Sequence, residues 1–266
     1  RTHDKEGFPI LLSHQQLFVL LCWSLNFSQS SGLKSIIKMI TLLGISIAIL
    51  SLANSCKGEN CLSGKYHKST SAPEPGMRAC QRFSQSACCF SNYTELLAVS
   101  PVSKIDNTYW DRCGQLSPRC EEYMKKVDCF YHCSPLAFNW INPNNSYSIL
   151  HVPICESFCD DWYTACRDDR TCVRNWLSDW EWNDQGNNCR SECAPYHEMY
   201  RNGKDLCETI WGASLKMSSC PCHCLMLDDN DNKVIQHLQS HSEVTSDCTE
   251  TSRQRCFSSV AAEESA

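Results

Sequence analysis

Glycine-rich phosphate loops, clusters of basic residues and apolar runs of membrane-spanning length are all missing from this sequence. Ten glycines in 266 residues leave little scope for backbone to approach a phosphate closely. No Gly-x-Ser-x-Gly or His-Glu-x-x-His pattern occurs, so neither a nucleophile elbow nor a catalytic zinc helix can be placed. Hydrolytic and acyl-transfer chemistry needs a nucleophile beside a base, or paired carboxylates. The pairs Asp160/Asp161 and Asp168/Asp169 read as solvated helix faces, and no residue is assigned as catalytic. The formal charge is -6, from 24 basic and 30 acidic side chains. A nucleic-acid binder needs a basic face to displace counterions, and none is present.

Cysteine is what the chain has in excess, with 22 residues. That density implies an oxidising, extracellular or vesicular compartment and argues against a cytosolic or nuclear enzyme. Arg1 is not an initiator, and the first methionine is Met39. It opens an apolar run ending at Ala53, too short for a bilayer core of about 30 Å, followed by the small residues Asn54, Ser55 and Cys56. The expectation is a secretory signal over 39–56, with 1–38 as upstream sequence foreign to the product. Cysteine parity agrees: without Cys22 and Cys56, 20 of the 22 remain, an even framework beginning at Lys57. The stretch Ser258 to Ala266 has no hydrophobic tail, which argues against a lipid or membrane anchor. Asn92-Tyr-Thr and Asn144-Asn-Ser are N-glycosylation sequons.

From Cys61 to Cys224 no long cysteine-free linker intervenes, so one domain is expected over 57–227. An acidic, polar tail over 228–266 follows, with a short helix signalled by Val234, Ile235 and Leu238. Cys155, Phe158, Cys159, Trp162 and Cys166 recur at helical spacing. Arg119 to His132 and Asp205 to Leu215 also read as helices, and Asn142 to Ser148 as a loop. Strand signals are short and poor. The fold class is therefore α+β, mostly helical with short strands, in one disulfide-rich domain.

Cys-x-x-x-Cys occurs at Cys129/Cys133, Cys155/Cys159 and Cys189/Cys193. On a helix this sets two sulfurs a turn apart on one face, suited to bonding two different neighbouring segments. Zinc is the competing reading; disulfides are preferred, and no metal is assigned. Cys220-Pro-Cys-His-Cys224 resembles a redox knuckle in miniature, yet it lacks the Cys-x-x-Cys at a helix start beside a βαβ unit. The remaining conspicuous feature is aromatic: Trp176, Trp180, Trp182, Trp162, Tyr163, Tyr131 and Trp211. Such rings can form a slot for a planar ligand, each stacked face adding about 0.5 to 1.5 kcal/mol. The alternative for any one of them is stapled core.

Four segments carry a family resemblance: Cys129-Phe-Tyr-His-Cys-Ser-Pro135, Val152-Pro-Ile-Cys-Glu-Ser-Phe-Cys-Asp-Asp-Trp-Tyr-Thr-Ala-Cys166, Asn175-Trp-Leu-Ser-Asp-Trp180 and Cys207-Glu-Thr-Ile-Trp211. With them the chain resembles the family of folate receptors and riboflavin-binding proteins, from about Cys61 to Leu227. Cys61-Leu-x-Gly-x-x-His-Lys, Pro73-Glu-Pro75, Tyr109-Trp-Asp-Arg-Cys-Gly-Gln-Leu116 and Glu198-Met-Tyr-x-Asn-Gly203 lean towards the riboflavin-carrying branch. The resemblance implies a folate-receptor-like domain in a secreted, monomeric carrier of plasma or egg. Riboflavin is then the bound ligand, and there is no catalytic cofactor.

In that branch the flavin ring lies between a tyrosine and a tryptophan, which match Tyr131 and Trp211 here. Folate receptors stack their pterin similarly, so the sandwich alone leaves the ligand open. They place an aspartate where this chain has Val127, cations where it has Asn144 to Ser148, and His-Lys where it has Leu177 and Ser178. Several unpaired polar edges, at about 1 to 3 kcal/mol each, would weaken folate by orders of magnitude. Trp176 and Trp180 are expected to line or support the cleft and Ser214 to touch the ring, while Trp182 stays unassigned. The resemblance also implies an uptake receptor on oocytes or other cells, although the serine- and glutamate-bearing stretch Ser240 to Ser252 is thin and interrupted by Cys248. It further implies release in acid, with His132 as the candidate lever. A soluble folate binder and a vitamin-free recognition protein are the alternatives.

Overall fold

The computed structural model describes residues 59–220 and 223–240. The chain divides into two units at Lys57/Gly58, and the first lies outside the described residues, as do the expected signal segment, Cys222 and nearly all of the Ser240 to Ser252 stretch. Among the described residues no helix is long and apolar enough to cross a membrane.

In chain order the elements are β1 (His67–Ala72), β2 (Ala87–Cys89), α1 (Ser91–Ala98), β3 (Lys104–Ile105), β4 (Thr108–Tyr109), α2 (Pro118–Cys133), β5 (Ile141–Asn142), β6 (Asn145–Ile149), β7 (Val152–Cys155), α3 (Glu156–Cys166), β8 (Arg170–Thr171), β9 (Glu181–Asn183), β10 (Gly186–Asn188), β11 (Ala194–Pro195), α4 (Tyr196–Met199), α5 (Gly203–Cys207), β12 (Leu215–Ser218) and α6 (Asp231–Ser240). The strands form two-stranded pairs, all antiparallel except β7 with β12. Such ribbons are marginal alone, so they depend on the helices and disulfides around them.

Helix α2 is the spine. Ser117 caps it by accepting from the Cys120 amide at 3.4 Å, and Pro118 occupies its first turn, a placement that wastes no backbone donor. The Ser117 hydroxyl also donates to Asp169 Oδ2 at 2.7 Å, tying the start of α2 to the chain leaving α3. A Cys120–Cys166 bridge bolts the two helices together. Helix α5 comes so near α3 that a Cβ on Gly203 would lie 2.4 Å from Asp160 Oδ1 and 2.6 Å from the Asp160 nitrogen. Only glycine fits there, and Cys159–Cys207 locks the contact. Phe130, Phe158, Trp162, Leu206, Ile210 and Leu215 fill the core beneath, all essentially inaccessible.

The three Cys-x-x-x-Cys pairs each reach two separate segments. Cys129 and Cys133 bond Cys80 and Cys89; Cys155 and Cys159 bond Cys224 and Cys207; Cys189 and Cys193 bond Cys172 and Cys113. Only the first pair lies wholly on a helix: Cys155 ends β7 while Cys159 lies on α3, and the third pair lies in irregular chain. Cys61–Cys88 completes eight bridges among the described residues. Cys113, Cys172, Cys189 and Cys193 cluster closely, but their sulfurs are already covalently paired. Cys220 is also disulfide-bonded, so neither it nor Cys224 is a free thiol.

Two expectations are corrected. The helix foreseen over Asp205 to Leu215 stops at Cys207, and Leu215 begins β12. Gly212 adopts a left-handed conformation, φ 58°, which ends helical progression. Leu215 then pairs with Val152, so strand pairing overrides helical spacing. The loop foreseen over Asn142 to Ser148 is the tip of the β5–β6 hairpin, in which Ile141 faces Ile149 and Asn142 faces Asn145. Pro143 and Asn144 make its turn, which the polar composition disguised.

Candidate functional site

A cavity of about 400 Å³ opens beside the C-terminal half of α2. Successive turns of that helix deliver Val127, Asp128, Tyr131 and His132 to its wall, the i, i+4 rows of one helical face. Across from them the segment after α3 supplies Trp176 and Leu177, and the segment after α5 supplies Trp211 and Ser214. Ser214 is fixed by its backbone, its amide donating to the Trp211 carbonyl at 3.2 Å and its carbonyl accepting from Val152 at 2.9 Å. The sequence-expected residues Tyr131, Trp211, Trp176, Val127 and Ser214 therefore converge on one space.

Trp180 does not reach that space. It is 3 % exposed and stands behind Trp176, edge-on at 5.4 Å and 82°. Trp176 in turn meets Trp110 edge-on at 6.5 Å and Trp211 at 5.7 Å. One wall is thus a continuous block of four indoles. The N–H groups of Trp176, Trp180 and Trp211 are buried without a conventional acceptor; edge-on packing against neighbouring π faces is the setting in which such a donor is weakly accommodated. Trp182 is part of the wall yet 53 % exposed, which places it at the mouth. Tyr147 and Leu177, 61 % and 59 % exposed, join it there.

The other wall is polar beneath its surface. Tyr131 donates its hydroxyl to the Tyr147 carbonyl, which fixes the ring against the β5–β6 hairpin. Burial, reinforced by the charge of Asp128, raises the Tyr131 phenol pKa, so the ring stays neutral. His132 Nδ1 lies 3.0 Å from Asp128 Oδ1 and 2.8 Å from the Tyr93 hydroxyl, and Tyr93 donates to the same Asp128 oxygen. Burial first, and Asp128 second, push the Tyr93 pKa well above its ordinary value. His67 stacks on His132 at 5.3 Å and 17°, and its Nε2 lies 3.2 Å from the Tyr131 carbonyl. Burial lowers the His67 pKa to about 4, against the opposing effect of that backbone contact.

Sequence reasoning found the aromatic residues and missed most of the polar wall. His67 and Tyr93 come from segments far from α2, with no local pattern to mark them. Of these polar residues the sequence reading named only His132; Asp128, one turn before it on α2, went unmarked. The outer lining residue Asp106 is ion-paired to Lys65 at 2.8 Å. Of the sequons, Asn144 lies exposed in the hairpin turn and Asn92 exposed on α1. Thr94 of the latter is fully buried and accepts from the Arg78 amide at 2.9 Å.

An aromatic-walled cavity in a domain held by eight bridges defines a binding scaffold. Residues 60–226 match the model of the folate receptor family, and the chain belongs to that family. It is 53 % identical over 191 residues to the riboflavin-binding protein of Dromaius novaehollandiae, covering 71 % of this chain and 80 % of that protein. It is 50 % identical, with the same coverage, to the riboflavin-binding protein of Gallus gallus. Human folate receptor gamma is more distant, 32 % identical over 166 residues, which are 60 % of this chain and 67 % of the receptor.

Proposed function

We propose that the chain is a secreted carrier that binds riboflavin in this cavity, with the flavin ring between Tyr131 and Trp211, and performs no chemistry on it. The observation that carries the proposal is the convergence of both rings on one apolar-walled space, in a chain half identical to named riboflavin-binding proteins. Val127, 5 % exposed, offers the ring an apolar wall where folate receptors would present a carboxylate. Trp176 supports Trp211, Trp180 supports Trp176, and Ser214 offers a polar contact.

A ligand of roughly two dozen heavy atoms, at about -0.3 kcal/mol each, reaches roughly micromolar affinity from burial alone. Tighter binding requires walls already in place. The bridges on either side of Tyr131 tie that wall to its neighbours, and each bridge also stabilises the fold by about 2 to 4 kcal/mol through the unfolded chain it restricts. The disulfide content and the two sequons support secretion; on this reading the product begins near Lys57, carries glycans on Asn92 and Asn144, and is a monomer. An uptake receptor on oocytes or other cells is the partner that would take up the loaded carrier.

Titration of the oxidised chain with riboflavin and with folate, following flavin and tryptophan fluorescence, tests the proposal. Strong quenching with riboflavin alone is expected. Binding of folate without riboflavin would overturn it in favour of a soluble folate binder. No response to either would mark a recognition protein that kept the scaffold and lost the vitamin.

A further inference from the structure

The cavity wall carries two carboxylates, and they differ in what surrounds them. Asp106, near the outside, has Lys65 Nζ at 2.8 Å, with Lys104 adding to the positive field, so its charge is compensated. Asp128 has no lysine or arginine beside it: its Oδ1 accepts from Tyr93 and lies 3.0 Å from His132 Nδ1, an ion pair only when the imidazole is protonated, with His67 stacked behind His132. No lysine or arginine lines the cavity among the described residues. Tyr93 and Tyr131, whose phenol pKa values burial raises, carry no charge at neutral pH.

We propose that Asp128 is a specificity determinant that keeps anionic ligands out of the cavity, so that the site takes the neutral flavin and rejects flavins bearing a phosphate. This rests on the riboflavin reading above. The physical basis is range: a space of about 400 Å³ is no wider than about one Debye length, about 8 Å at physiological ionic strength. A phosphate held anywhere inside it therefore feels the Asp128 charge with little screening. The walls, tryptophan on one side and buried tyrosine on the other, leave little room for water, and the lower dielectric strengthens that field. Compensation at Asp106 means that the two carboxylates do not act alike. The hydrogen bonds from Tyr93 and contact with His132 hold the Asp128 carboxylate in position, so the exclusion is built into the resting site.

The test compares riboflavin with riboflavin 5′-phosphate on the full oxidised chain, reading the ratio of the two dissociation constants so that any effect common to both ligands cancels. The wild type should favour riboflavin by about tenfold or more at low ionic strength, and the preference should shrink severalfold in about 1 M salt. Asp128→Asn, which keeps the side-chain shape, should reduce the ratio to within about threefold and remove its salt dependence. Asp161→Asn, on the exposed face of α3, should leave the ratio as in the wild type. An unchanged ratio in Asp128→Asn overturns the inference. So does a wild-type ratio indifferent to salt, which needs no variant to fold. Equal binding of both flavins to the wild type would sink this inference alone, whereas binding of neither would sink the carrier reading itself.

Discussion

The two walls of the cavity are built from different chemistry. On the Trp211 side four indoles pack together, Trp176 edge-on against Trp110 and Trp180 and tilted against Trp211, with no titratable group between them. On the Tyr131 side a single ring rests on two histidines, a tyrosine and an aspartate. A ligand stacked between them gains area from both, but only the second wall can respond to pH. On the proposed reading, one wall gives affinity and the other makes that affinity conditional.

The largest blow to the indole wall should come from behind it. Trp180→Ala removes a buried ring that never lines the cavity and should cost about 3 to 5 kcal/mol of stability, seen as a lowered urea midpoint at unchanged slope. Riboflavin affinity should fall with it as Trp176 loses its edge support. A variant as stable as the wild type would show that the four rings do not act as one block. Next in size, Trp211→Ala or Tyr131→Ala should each weaken riboflavin about a hundredfold, from lost stacking and burial together, measured by fluorescence titration. If only one of the two did so, the sandwich would be one-sided.

The polar wall should reveal itself in acid. His67 has a folded pKa of about 4 against about 6.5 in an unfolded chain. As pH falls through that window the unfolded state takes the proton first, so stability is fully present above about 6.5 and is lost progressively towards 4. Partial solvation limits the loss to about 1 to 2 kcal/mol. His67→Phe should flatten the slope of urea midpoint against pH between those limits, and a slope as steep as before would place the acid sensitivity elsewhere. His132→Gln asks the same question of the ligand, since the midpoint of riboflavin release with pH should move if His132 is the lever. The smallest effect belongs to Tyr131→Phe. It keeps the ring but drops the bond to the Tyr147 carbonyl, for an expected loss of about 0.5 to 1.5 kcal/mol in binding.

The same contrast explains what could be read from the sequence. Helices α2 and α3 announce themselves because cysteines and aromatics repeat at 3.6-residue spacing on one buried face. Tyr131 and Trp211 are legible because each sits at a fixed offset from a cysteine. Trp180 could be placed near the cleft but not behind it, since a motif fixes neighbours along the chain and not depth. The polar wall is assembled across sequence separations such as the 64 residues between His67 and Tyr131, and the pattern of β1 does not show what its first residue will touch. The mistaken helix at Leu215 has a similar cause, because a partner strand 63 positions earlier, at Val152, decided its conformation.

The last turn of a helix is ordinarily the first to fray. In α2 that turn is riveted at both ends, by Cys129 to Cys80 and by Cys133 to Cys89, with Tyr131 and His132 between the rivets. Backbone breathing is thereby suppressed around the ring proposed to stack on the ligand, and amide exchange there should stay slow even in the empty protein. The β5–β6 hairpin, joined to Tyr131 through the Tyr147 carbonyl, contains no cysteine and so no rivet of its own. The last turn of α2 is the fixed frame of this container.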